Sequence, residues 1–191
     1  MSFSVFATLT LLLLLTPGPT NTLIALTCAQ QGFARCAPLV AAELLAYLAF
    51  VGLFVAVLGP VAAHQPSVLT ACQTVAAMWV LYLAAKLWRA PAASAHHAAP
   101  IGWRTIFVTT ALNPKGLIVA SMLLHVGKAG QPQSLGFLIF GLDILAAALV
   151  WGGLASTVLP AMNRRWPRLM TRMASVVLLG FFGNLLLNMR P

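Results

Sequence analysis

The sequence predicts an all-α membrane protein with six transmembrane helices in a single domain spanning residues 1–191. Three observations predict it. Hydrophobic residues make up 61% of the chain and charged residues 7%, whereas a soluble domain carries about 25% charged residues. The mean hydropathy is +0.94. The apolar residues are gathered into six runs near the length of about 20 residues that a helix needs to cross a bilayer. So few polar side chains could not cover a soluble fold of this size, but a lipid-facing surface needs none.

In order, the expected spans are 3–27, 37–60, 66–88, 104–126, 133–159 and 169–189. The first could be mistaken for a signal peptide over Ser2–Leu15. No Lys or Arg precedes it, no small-residue cleavage site follows, and the apolar run resumes after Pro19, so a retained helix is expected. The other connections are short, but the stretch from Arg89 to Arg104 contains Pro91, Ser94, His96, His97, Pro100 and Gly102. It reads as a linker, 91–103, between repeat one (1–90) and repeat two (104–191), with three helices in each.

The formal charge of +9 does not indicate a nucleic-acid partner, because the basic residues are not massed on one solvated face. They lie between the apolar runs. With the N-terminus outside, the cytoplasmic loops carry Arg35, then Lys86, Arg89 and Arg104, then Arg164, Arg165, Arg168 and Arg172. The opposite side holds only Lys128 and Arg190. The positive-inside rule therefore predicts both termini outside.

Two halves with an odd number of helices must have opposite orientations, the inverted-repeat plan of many secondary transporters. Two internal matches support it. The first helix of each half is interrupted, by Thr16-Pro17-Gly18-Pro19-Thr20-Asn21 and by Asn113-Pro114-Lys115-Gly116. The second helix of each half carries one carboxylate, in Glu43-Leu44-Leu45-Ala46 and Asp143-Ile144-Leu145-Ala146.

The interruptions are the first candidate sites. A proline inside a helix removes a hydrogen bond and costs about 3 kcal/mol. In hydrocarbon the freed carbonyls must find partners in protein or in a water-filled cavity. A half-helix that starts at such a break presents free N–H groups and a positive dipole end, suited to a carboxylate. Thr16, Thr20, Asn21 and Asn113 add hydrogen-bonding side chains, so residues 16–21 and 113–116 form the candidate substrate site. The competing reading is a packing kink.

Glu43 and Asp143 are the only acidic residues in the chain, and both lie inside apolar spans. An ionisable group at that depth is costly and usually faces the bundle interior. Each is a candidate to exchange a proton or to hold an ammonium group; the alternative is a neutral, hydrogen-bonded or lysine-paired structural carboxyl. Lys115, the one basic residue deep in a span, could pair with either carboxylate, hold a substrate carboxylate, or snorkel to the interface.

Other features read as structural. His96 and His97 lack the companion ligands of a metal site, and His64 and His125 fall near helix ends. Trp79, Trp88, Trp103, Trp151 and Trp166 fit interfacial or packing positions. Cys28, Cys36 and Cys72 form no CxxC pair and read as small buried hydrophobes with no disulfide framework. The run Arg164-Arg165-Trp166-Pro167-Arg168 is a topology signal that could also touch anionic lipid. No phosphate loop, serine elbow or HExxH motif occurs, so no catalytic residue, cofactor or metal is expected.

These residues resemble the LysE/RhtB group of bacterial amino-acid exporters. The resemblance rests on Thr16-Pro17-Gly18-Pro19 late in the first apolar run, the turn Gly32-Phe33-Ala34-Arg35, Tyr82-Leu83, and Leu112-Asn113-Pro114-Lys115. It covers nearly the whole chain. It implies a multi-pass carrier of the bacterial inner membrane that exports amino acids by proton antiport, and it leaves a homodimer open. The family's motif positions map onto Pro17, Gly18, Pro19, Asn113, Pro114 and Lys115. The chain departs from the family in its second helix, where Cys36, Ala42 and Ala46 stand in place of spaced glycines.

The expected function is export of amino acids or close derivatives, with substrate, proton and membrane lipid as partners. Three other readings remain open at this point. The chain could export another small solute, or a divalent cation, although a cation would need a richer ligand set. An intramembrane enzyme would need a nucleophile–base or metal constellation. A non-transporting scaffold would leave the polar residues purely structural.

Overall fold

The computed structural model describes residues 1–58, 61, 65–89, 101–159 and 167–188. Its regular elements are all helical: α1 (Phe3–Leu15), α2 (Pro19–Gln31), α3 (Ala37–Leu53), α4 (Pro66–Trp88), α5 (Trp103–Ala111), α6 (Pro114–Lys128), α7 (Gln133–Val158) and α8 (Pro167–Asn188). A 3-10 turn, Phe33–Cys36, precedes α3, and a π-helical turn, Phe54–Leu58, continues it.

The proline motifs break the helices where the sequence places them. Pro19 opens α2 and Pro114 opens α6, the first-turn positions that lose no helical hydrogen bond to proline. The axes of α1 and α2 meet at 58°, and those of α5 and α6 at 52°. Phe33–Val57, Thr70–Trp88 and Gln133–Val158 are long and apolar enough to span a bilayer, and each bent pair counted as one span raises the total to five. The expected sixth span corresponds to α8, which is helical but does not reach that standard among the described residues.

Most of the expected linker, with Pro91, Ser94, His96, His97 and Pro100, lies outside the described residues, as do His64, Arg164, Arg165, Trp166 and Arg190. The linker's last position, Trp103, is already the first residue of α5.

Side chains pack in two main clusters. The first takes Phe6 and Leu14 of α1, Tyr47 and Val51 of α3, Val119 and Leu123 of α6, and Phe140 and Ile144 of α7. The second takes Leu23 and Ile24 of α2, Leu39 and Ala42 of α3, Val80 and Leu83 of α4, Ile106 of α5, Ala155 of α7 and Leu178 of α8. Each broken helix pair thus crosses from one cluster to the other at its proline motif. The helices α3 and α7 run through both clusters in opposite directions. The breaks therefore sit at mid-height of the bundle, as does Glu43, between Ala42 and Tyr47.

Lipid is as apolar as leucine, so close packing rather than hydrophobic burial holds such helices together. Small residues on α3 and α7 permit it. Ala42, Ala46, Ala147 and Ala148 are buried, and a Cβ on Gly152 would stand 2.7 Å from the Phe33 ring. Leu45, Met78, Leu138 and Leu149 point outward, as lipid-facing side chains do.

One sequence expectation is corrected. Cys28 and Cys36, read as unpaired hydrophobes, are joined in a disulfide, with their Cα atoms 5.8 Å apart. Gly32, at φ 85°, folds the end of α2 back into the 3-10 turn and brings the two together. Their spacing of eight residues belongs to no sequence motif. Cys72 is free.

Candidate functional site

The first break shows where freed backbone groups go. The Thr16 amide donates to the Leu12 and Leu13 carbonyls at 3.1 and 3.3 Å, and its hydroxyl donates to Leu13 at 2.7 Å. Asn21 turns back from α2, and its Nδ2 donates to the Leu14 carbonyl at 2.6 Å and to the Thr16 carbonyl at 3.1 Å. A second donor reaches the Thr16 carbonyl from the other break: Lys115 Nζ, at 2.5 Å.

The second break satisfies itself more locally. The Asn113 amide donates to Thr110 at 3.0 Å, and the Gly116 amide donates to the Asn113 carbonyl at 2.9 Å. Asn113 Oδ1 caps α6 by accepting from the Lys115 amide at 3.1 Å. Its Nδ2 donates to the Tyr47 hydroxyl at 3.0 Å and to the Thr20 hydroxyl at 3.3 Å. Thr20 and Thr110 hydroxyls lie 3.1 Å apart.

The two breaks are thus one polar cluster. Thr20, Asn21, Asn113, Lys115 and Gly116 are buried, while Thr16 and Pro17 are exposed, so the cluster reaches the surface on one side. Gly18 is where the Lys115 side chain passes: an added Cβ would stand 3.0 Å from both its Cε and its Nζ. The two half-helices also differ. Asn113 caps α6, but the N-cap of α2 is Gly18, which has no side chain to offer. Pro19 has no N–H, and among the described residues the Thr20 and Asn21 amides have no acceptor, at a helix start where the Lys115 ammonium lies against Gly18.

Glu43 is 3% exposed. Its charged neighbour is Lys115, and Tyr47 stands one helical turn away on the same face. Among the described residues its carboxylate accepts no hydrogen bond. Asp143 sits apart: its carboxyl hydrogen-bonds with the Thr10 hydroxyl, whose oxygen also lies 2.9 Å from the Phe6 carbonyl. That pair belongs to the seam between α1 and α7, so of the two carboxylates only Glu43 neighbours the cluster. No three His, Cys, Asp or Glu side chains gather among the described residues as a metal site needs.

Three participants were missed in the sequence. Tyr47 was detectable, since a hydroxyl four residues from Glu43 shares its helix face. Thr110 precedes the Asn113-Pro114 motif by three residues but resembles any threonine in a span. Thr10 carried no local signal at all.

No protein-family profile and no solved structure matches the chain. Curated relatives do. The chain is 29% identical over 150 residues to the cysteine/O-acetylserine efflux protein of Salmonella choleraesuis (strain SC-B67), covering 78% of this chain and 76% of that protein. The same identity and coverage hold for proteins of that name from Salmonella typhimurium LT2 and Salmonella typhi. These matches bear out the resemblance to the LysE/RhtB-type exporters that the two proline motifs carry.

Proposed function

We propose that the chain is a secondary transporter of the bacterial inner membrane that exports amino acids or close derivatives by proton antiport. Its plan is six spans in two inverted repeats, 1–90 and 104–191, with both termini outside. The observation that carries this reading is the meeting of the two helix breaks at mid-height, with Lys115 of one reaching the Thr16 carbonyl of the other.

The packing supports the inverted plan. Repeat one passes from the first cluster to the second along α1 and α2, and repeat two passes the opposite way along α5 and α6. Arg172 lies 5.3 Å over the Trp88 ring, which sets the start of α8 beside the end of α4, as the positive-inside orientation requires.

In this mechanism the substrate carboxylate docks on the open Thr20 and Asn21 amides and on Lys115, which releases the Thr16 carbonyl to receive it. Residues Pro17, Gly18 and Pro19 hold that helix end open, and Asn113, Pro114 and Gly116 hold the facing one. The substrate ammonium meets Glu43. A proton arriving from outside neutralises Glu43 and weakens its hold on the ammonium, so substrate leaves outward. Rocking of the repeats returns the proton inward. Asp143, bonded to Thr10, supports the α1–α7 seam.

The test is efflux from dipeptide-loaded cells expressing the chain, read as a full amino-acid profile of the medium against an empty vector. Enrichment of particular amino acids, abolished by a protonophore, is the expected result. An unchanged profile with the protein present in the membrane overturns the reading.

A further inference from the structure

Next to the polar cluster, α4 leaves a space. It packs chiefly against α8 and only lightly against α5. A cavity of about 240 Å³ remains, lined by Phe50 of α3, Cys72, Val75 and Ala76 of α4, and Leu112 and Asn113 of the second break. Asn113 is 2% exposed and is also the hub that binds Thr20 and Tyr47. Asn113 is therefore a wall that the cavity and the cluster share. The cavity lies at the same height, since the later part of α4, around Val80 and Leu83, belongs to the second cluster and Phe50 packs against the first.

Its lining carries no charged side chain. An ionised group placed there would lose its hydration with nothing to pair with. The volume falls below the roughly 300–1,000 Å³ of sites for drug-sized ligands, so it suits a group of a few heavy atoms.

We infer that this cavity is the side-chain pocket of the transport site: it takes the short, uncharged side chain of an amino acid whose carboxylate and ammonium are held at the breaks. Phe50, Cys72, Val75 and Ala76 set the length and bulk that pass. The inference rests on the proposed exporter reading and adds to it the class of side chain and the residues that select it.

Cys72 provides a native reporter. It is partly exposed and free, whereas Cys28 and Cys36 are fully buried and paired. In membrane vesicles holding the wild-type protein, N-ethylmaleimide labelling of Cys72 is followed with L-alanine, L-serine, L-methionine, L-lysine or L-glutamate present. Slower labelling with the neutral amino acids, and not with lysine or glutamate, is expected. Labelling that no amino acid slows overturns the pocket and leaves the groove to a lipid chain; equal protection by lysine also overturns it.

The second arm is selectivity. Cys72→Trp fills the cavity and Phe50→Ala enlarges it. The ratio of long to short neutral amino acids exported falls in the first and rises in the second, by about tenfold or more, the discrimination a methylene-scale mismatch provides. A ratio equal to wild type in both variants, with both present in the membrane, overturns the assignment. Neutral-selective protection of Cys72 without wild-type efflux would sink the exporter reading alone; efflux without protection would sink the pocket alone.

Discussion

Lys115 donates from its ammonium to the Thr16 carbonyl at 2.5 Å, across 99 positions of sequence, and reaches it over Gly18. One hydrogen bond thereby ties the two broken helices together and keeps a cation beside the uncapped start of α2. Replacing Lys115 by Ala removes a charge-assisted bond worth about 1.5–3 kcal/mol. Lower thermal stability in detergent and loss of efflux are expected together. Unchanged efflux at normal membrane abundance would contradict the substrate role.

Gly18→Ala tests the same relationship from the other side. The new methyl would stand 3.0 Å from Lys115 Cε and Nζ, so the end of the lysine must give by a few tenths of an ångström, which loosens its bond to the Thr16 carbonyl. Efflux should fall, and the loss should not add to that of Lys115→Ala, because both act through one side chain. Additive losses in the double variant would show that Gly18 acts separately.

Asn21→Ala strips donors from the Leu14 and Thr16 carbonyls. A buried acceptor left unpaired costs about 1–3 kcal/mol, and hydrocarbon offers no water to replace the donor. The variant should melt earlier than wild type in a detergent unfolding assay. Leu23→Ala, which removes apolar volume two residues away, serves as the comparison for packing loss without carbonyl loss.

The two carboxylates should behave differently. Glu43→Gln should abolish proton-driven efflux, since the amide cannot take up and release the proton. Asp143→Asn should retain it within a fewfold, because an Asn oxygen can still accept from Thr10. Efflux driven by an imposed pH gradient in vesicles separates them. Equal loss in both variants would place Asp143 in the coupling path.

Gly152→Ala should be destabilising without altering substrate choice. Its methyl meets the Phe33 ring at 2.7 and 2.9 Å and Cys28 Sγ at 3.4 Å, far from the breaks. Overpacking of this kind costs about 1–3 kcal/mol. A lowered melting temperature with an unchanged amino-acid export profile is the expected outcome.

The sequence by itself determined what depends on composition and on local backbone chemistry. An interior poor in charge and six apolar runs marked the membrane class; proline at positions 17, 19 and 114 marked the breaks, because its missing N–H acts within one turn. The two acidic residues stood out for the same reason: an ionisable side chain in an apolar run is conspicuous without knowledge of its neighbours. Only the tertiary structure decided which of these groups meet. It joined the breaks through Lys115, Thr20 and Asn113, brought Tyr47 to them, and sent Asp143 to Thr10 on another seam. It also paired Cys28 with Cys36 and left a cavity beside α4. Those outcomes depend on how helices far apart in sequence pack. In a membrane that packing is set by close contact of small residues and by polar pairs across helices, and neither leaves a periodic trace along the chain.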